Sequence, residues 1–429
     1  MKNNRFAFTN GVILTGEEDM TPITGHTVLT SGERIIDIQP ADAPTDGYEV
    51  VDLNGAYIMP GLINLHVHIP GSGKPKKKQT NAKLLVRILT SNAFMEKIAF
   101  AMCAKYASLE LFSGVTTIRS VGGVTNLDSR LRDEIEVGKV VGPRIVASNM
   151  AVSVPGGHMA GSLAYEAHSP EEAAAFVRKI AEDRPDLIKL MITGGVLDAT
   201  VKGEPGELKM PSEYVKAACD EAHRLGLKVA AHVESPEGVR VALQNGVDTI
   251  EHGARPDDEI IQLFKERGAV DVATISPALP FALFDRSLIG ATEVQQFNGK
   301  IVFEGVLECA KACLEAGVTV GLGTDTGCPY ITHYDMWREL NYFHKYCGVS
   351  KNFALHTATE VNAKILGLDN EIGTLAPGKC ADMIVTVGNP LEDLKALRDV
   401  NMVVSRGEIV DISGLKKYPK CEQELDKFV

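Results

Sequence analysis

The stretch "PGLINLHVHIPG", residues 60–71, is apolar apart from Asn64 and two histidines, His66 and His68. In an extended strand, side chains two apart point the same way, so both imidazoles face one side. The same kind of residue recurs in other apolar runs. Lys189 sits in "LIKLMIT", His232 in "KVAAHV", Glu251-His252-Gly253 in "DTIEHG" and Thr324-Asp325 in "VGLGTD". Polar groups in such runs need partners, because burying a neutral one unpaired costs ~1–3 kcal/mol. Taken singly, each has a bland reading: a hydrogen-bonded core histidine, or a turn ahead of a helix. Taken together, four imidazoles and a carboxylate at strand ends are the usual ligands of zinc and similar metals.

Something must gather these strand ends. The middle of the chain alternates strands with amphipathic segments such as "SPEEAAAFVRKIAED" and "PSEYVKAACDEAHRLG". Ser169 ahead of "PEE" is a helix start, with proline in the first turn and acids at the positive end. Eight strand runs are present: "GLINLHVH", "VTTIRSV", "RIVASN", "LIKLMIT", "KVAAHV", "DTIEHG", "VDVATIS" and "VGLGTD". That number matches a (β/α)8 TIM barrel, whose active sites lie at the C-terminal strand ends. Both chain ends instead read as short strands broken by Gly, Asn and Asp, as in "RFAFTNGVILTG" and "IGTLAPGKCADMIVTVG". The expected α/β organisation is residues 1–58 and 367–429 forming one small β-sandwich, and 59–366 forming the barrel.

Composition narrows the function classes. Of 429 residues, 44 are Lys or Arg and 56 Asp or Glu, a net charge of −12. An acidic chain without a long basic run argues against nucleic acid or an anionic membrane as partner. No apolar run approaches the ~20 residues of a membrane span, and the start lacks a signal-peptide core. The 8 cysteines include no CxxC pair; Cys309 and Cys313 at i, i+4 read as core residues of a helix. Free thiols in a reducing cytoplasm, a homo-oligomer and a small-molecule substrate are the expectations.

Lys189 bears on the number of metals. Both faces of "LIKLMIT" are otherwise apolar. A buried ammonium must lower its pKa, find an anion or snorkel to solvent. A neutral amine can also react with CO2 to give a carbamate, an anionic ligand able to bridge two cations.

In this order, "MPGLINLHVH", "IKLMITGG", "AHVES", "EHG" and "GTD", with the closing "GTLAPGKCADMIV", resemble the amidohydrolase superfamily. "TGGV" and "GGH" resemble its imidazolonepropionase-related branch, which includes prolidase-like and Xaa-Arg carboxypeptidase-like dipeptidases. The resemblance implies two divalent cations, zinc first among them. His66, His68 and Asp325 would hold one, His232 and His252 the other, with carboxylated Lys189 between. Asp325 would shuttle the proton, and His158 of "VPGGHMAGS" would donate to the carbonyl oxygen or bind a carboxylate.

The implied activity is hydrolysis of a C–N bond in a dipeptide or N-acyl amino acid. Ring opening or deamination of a nitrogen heterocycle is the alternative, and a non-catalytic scaffold the reading from another class. Two features depart from the dipeptidase pattern. Glu234 stands where several relatives carry a substrate-binding tyrosine. "PGSGKPKKKQT" places Lys74, Lys76, Lys77 and Lys78 at the expected pocket mouth, as a solvated loop or an anion-drawing lid. Tyr330 and His333 are further pocket candidates.

Overall fold

A computed structural model describes residues 4–75 and 81–429. All eight expected runs are strands: Leu62–Val67, Val115–Ser120, Arg144–Ala147, Leu187–Met191, Lys228–Val233, Thr249–His252, Val270–Ala273 and Val320–Leu322. The sequence alternates them with helices. Pro170–Ala181 starts as expected: Ser169 Oγ accepts from Glu172 N (3.2 Å) and proline fills the first turn. Because helices cover the strands, a run such as Leu187–Met191 is buried at every position.

The strands are parallel but form two sheets. Leu62–Val67, Val115–Ser120 and Arg144–Ala147 make a three-stranded sheet in that order. The other five extend in chain order from Leu187–Met191 to Val320–Leu322. Two short strands that sequence patterning had not suggested, Ala151–Ser153 and Ala164–Glu166, complete this second sheet at its other edge. The parallel α/β expectation is met, but among the described residues no closed ladder of strands is present. The two sheets touch at both seams with sparse bonding. One seam is a single parallel bridge between Val67 and Thr326. At the other, Asp186 N donates to Ala147 O (2.7 Å) and Asp186 Oδ2 accepts from Ala147 N (2.8 Å).

The chain ends do meet. Met383–Thr386 runs antiparallel to Tyr57–Pro60, with Met383 opposite Pro60. The five-stranded sheet containing this pair also takes Val12–Ile13, Met402–Ser405 and Glu408–Val410. A four-stranded sheet holds Arg34–Pro40, His26–Ser31, Arg5–Thr9 and Glu49–Asp52. Phe6, Phe8, Val28, Ile58, Met383 and Val404 from the two sheets share one buried apolar cluster. Among the described residues, no helix is long and apolar enough to cross a membrane.

Candidate metal centre

His66, His68, His158, Lys189, His232, His252 and Asp325 line one cavity. The ligand atoms of His66, His68 and Asp325 lie within 4.8 Å of one another, as do those of His232, Glu234 and His252. Asp325 Oδ1 stands 3.5 Å from His66 Nε2 and 3.2 Å from His68 Nε2. The His252 ring joins the two groups, 4.9 Å from His66 and 4.7 Å from His232 between centroids. His252 (φ 71) and Asp325 (φ 54) both adopt the left-handed region, which costs a non-glycine residue of order 1–3 kcal/mol. Neighbouring structure holds them there; Asp325 N, for instance, donates to His66 O (2.8 Å).

Each imidazole has one nitrogen engaged away from the centre. His66 Nδ1 donates to Glu251 Oε2 (2.7 Å) and His68 Nδ1 to Gly122 O (2.9 Å). His252 Nδ1 meets Thr274 Oγ1 (2.6 Å), and His232 Nε2 donates to Gly194 O (3.3 Å). Such outward bonds fix the tautomer and leave the other nitrogen's lone pair available, the arrangement of metal-ligating histidines. His66 Nε2 and Lys189 Nζ are buried with no hydrogen-bond partner. Orphans of this kind are costly unless something else occupies the space between them. The donor set of imidazoles and carboxylates fits divalent cations such as zinc.

The electrostatics favour ligand-ready forms for three of the four imidazoles and for Asp325; His68 is the exception, raised against burial by the Asp325 carboxylate it faces. Burial, reinforced by Lys189, holds His66 well below the usual histidine range. Burial and the neighbouring His158 do the same to His232, and burial brings His252 down to about 4. These rings are therefore neutral at pH 7. Burial pushes Asp325 up, but the adjacent imidazoles win and hold its carboxyl well below the usual range. Burial brings Lys189 down to about 8 against the attraction of Glu251, so a neutral amine is accessible near physiological pH.

Two residues central to this geometry were missed in the sequence. Arg119 is buried and donates to Leu65 O (2.7 Å), Thr249 Oγ1 (3.1 Å) and Glu251 Oε1 (2.6 Å). Arg119, Glu251 and His66 thus form a chain that sets the orientation of the first imidazole. The signal was present: Arg119 is a charge inside the apolar run "VTTIRSV", the feature that singled out Lys189. On the first strand, Asn64 Nδ2 donates to Thr324 Oγ1 (2.8 Å), and Asn64 Oδ1 accepts from Thr324 N (3.0 Å). This ties the strand bearing His66 to the segment bearing Asp325.

The remaining candidates separate. His158 stacks on His232 with centroids 4.2 Å apart, and its Nδ1 lies 2.5 Å from Asp198 Oδ2. Glu234 Oε2 accepts from Val196 N (2.9 Å) at the cavity edge, so it makes a structural bond and faces the second histidine group as well. Tyr330 and His333 do not line the cavity. His333 is buried, bonded to Glu110 Oε1 (3.1 Å) and Gly71 O (2.6 Å) and stacked on Tyr106. Lys74 is exposed with Nζ 5.5 Å from the Tyr418 ring, while Lys76, Lys77 and Lys78 lie outside the described residues.

The family model for the amidohydrolase family matches residues 57–410. The chain belongs to the amidohydrolase family. This amidohydrolase is similar to ochratoxinase of Aspergillus niger, 26% identical over 371 residues, covering 81% of this chain and 73% of the relative. Among solved structures it resembles a candidate prolidase from Bifidobacterium longum at TM-score 0.87 and 37% identity, over 99% of this chain and 98% of the other. A Xaa-Pro dipeptidase with bound methionine in its active site matches at TM-score 0.83 and 28% identity, over 95% and 100%.

Proposed function

We propose that this amidohydrolase is a metal-dependent hydrolase of an amide bond in a small substrate, a dipeptide or an N-acyl amino acid. The observation that carries the reading is the orphaned, buried Lys189 amine lining one cavity with two groups of ligand atoms, each spanning no more than 4.8 Å. His66, His68 and Asp325 would hold one cation and His232 and His252 the other. Lys189 Nζ, reacting with CO2 and losing a proton, would carry an anionic carbamate between them. The similarity to a Xaa-Pro dipeptidase and to ochratoxinase supports an amide or peptide bond as the target.

When bound, two cations acidify water to near neutrality and polarise the scissile carbonyl. The protein's part is positioning and proton transfer. Asp325, ionised, accepts the proton of the attacking water and returns it to the leaving nitrogen. His158, oriented by Asp198 through Nδ1, offers its other nitrogen to the substrate. Met159, Leu197, Pro277, Ala278 and Phe281 give the cavity an apolar wall that suits an apolar acyl or side-chain group.

The test is a screen of dipeptides and N-acyl amino acids with zinc-loaded protein, alongside elemental analysis. Two cations per chain at this centre and release of a free amino acid are expected. Lys189→Ala should lose at least one of those cations together with turnover, and added bicarbonate should restore neither. A Lys189→Ala variant that keeps both cations rejects the bridging role.

A further inference from the structure

Behind the sheet, away from the cavity just described, a second group of ligand atoms is enclosed. Asp271 lies on Val270–Ala273, and Cys309 and Cys313 lie one turn apart on the helix Glu293–Glu315 that covers this strand. All three side chains are fully buried. A carboxylate oxygen of Asp271 and the two sulfurs all fall within 4.8 Å of one another. None of the three lines the histidine cavity. A core helix position explains one buried cysteine, and the sequence reads both that way. It does not explain a buried carboxylate beside both.

The polar atoms here are incompletely satisfied. The Cys309 thiol donates to Asp271 Oδ1 at 3.6 Å, an ordinary distance for a sulfur donor, and also hydrogen-bonds with the Cys313 thiol. Asp271 Oδ2 is buried with no hydrogen-bond partner at all. An ionised carboxylate left in this state is costly, and burial raises Asp271 to about 8. Gly253 lets the backbone pack directly against the group: a Cβ there would fall 2.8 Å from Cys309 Sγ and 2.9 Å from Asp271 Oδ1.

We propose that Asp271, Cys309 and Cys313 form a further metal site that takes a thiophilic divalent cation of the zinc class, distinct from the histidine centre. The chemistry matches: thiolate sulfur and carboxylate oxygen are both zinc ligands, and two sulfurs on one tetrahedral ion sit ~3.8 Å apart at Zn–S distances of ~2.3 Å. The present separations therefore need only a small closing movement. Binding releases the two thiol protons and the carboxyl proton where present, exchanges the thiol hydrogen bonds for metal bonds and gives the carboxylate with the orphaned Asp271 Oδ2 a cation to pair with. A cation here clamps helix to strand directly behind Gly253, the residue after His252. Because the three side chains are buried, the cation is captured during folding, with a water carried in as the fourth ligand of the tetrahedral ion.

The experiment uses the full chain, produced in zinc-supplemented and in cobalt-supplemented medium. Elemental analysis should give one more cation per chain for wild type than for Cys309→Ser/Cys313→Ser. The cobalt form should show a sulfur-to-metal charge-transfer band. That band should survive in Cys328→Ser, whose sulfur lies by the histidine cavity, and in His66→Ala/His68→Ala, and disappear in Cys309→Ser/Cys313→Ser. Its survival in the histidine variant separates this site from the proposed catalytic centre, so either can fail alone. A cobalt form of wild type with no sulfur band overturns the proposal, and this reading does not depend on whether the cysteine variants fold. A band that persists in Cys309→Ser/Cys313→Ser overturns it equally.

Discussion

At the scale of the residue, the centre pairs groups whose environments drive them to opposite protonation states. Burial holds His66, His232 and His252 below the usual histidine range, whereas the Asp325 carboxylate raises His68 against burial, and the surrounding rings in turn keep Asp325 ionised. An ionised carboxylate at such a position can both ligate and take a proton. Asp325→Asn keeps the shape and removes the base, so kcat should fall roughly 10²–10⁴-fold with an unchanged circular dichroism spectrum. Near-normal kcat in that variant rejects its role in proton transfer. Glu251 acts one step further out. It holds His66 Nδ1 and is itself held by Arg119 and Thr249. Partners of this kind are worth ~10–100-fold in metal affinity. Glu251→Gln should therefore weaken cation retention against a chelator by that factor, while kcat at saturating metal stays close to wild type. The reverse pattern, normal retention with lost kcat, would make Glu251 part of the chemistry instead.

At the scale of the element, most strands could be read because burial on both faces leaves only apolar residues, and any exception stands out. Lys189, His232 and His252 were visible for that reason. Ala151–Ser153 and Ala164–Glu166 were not, because three residues carry no periodicity and the pairing of the first with Leu187–Met191, and of the second with the first, is a tertiary choice. Glu110 was hidden differently. On the helix Ala93–Phe112 it reads as a surface charge, yet it is buried against His333, Thr326 and Asn64. Asp128 shows a similar conflict where Val115–Ser120 passes into the helix Leu127–Glu136. Its Oδ2 accepts from Ser120 Oγ (2.5 Å), but its Oδ1 is buried without a partner. Burial wins over the serine bond and pushes its pKa up to about 6. With a folded value above the unfolded ~3.9, its contribution is complete below pH 3.9 and is lost as pH rises through 6. Between pH 4.5 and 7 this amounts to about 2 kcal/mol. Asp128→Asn lacks the titration, so its stability relative to wild type should rise by that amount across the window in urea unfolding. A difference independent of pH would show that Asp128 is ionised in the folded protein throughout.

At the scale of the whole molecule, the last segment of the chain is tied into the layer that carries the site. The helix Pro419–Leu425 follows Tyr418, whose N donates to Tyr334 OH (2.6 Å) in the stretch after Asp325. Cys421 and Leu425 are buried, and the Phe428 ring stacks 5.6 Å from Phe284, close to the cavity wall residue Phe281. The strongest tie is electrostatic. Arg338, 1% exposed, faces Asp335 (3.0 Å), Glu422 (3.3 Å) and Asp426 (2.7 Å), and Arg398 pairs with the same two tail acids. Removing residues 418–429 leaves the guanidinium with one of its three carboxylates and opens it to solvent. Solvation offsets part of the ~3–5 kcal/mol of a broken buried pair, and re-exposing the pocket of Leu425 adds ~1.5–3 kcal/mol. The truncated chain should therefore melt several degrees lower, with KM raised because the loops bearing Tyr334 and Phe284 lose their backing. Glu422→Gln/Asp426→Asn keeps the packing and removes the charges, while Leu425→Ala does the converse. If the ion cluster dominates, the first should account for the larger part of the truncation's Tm loss. A truncation that melts with wild type would mean that Asp335 and solvent suffice for Arg338, and that the tail only covers the surface.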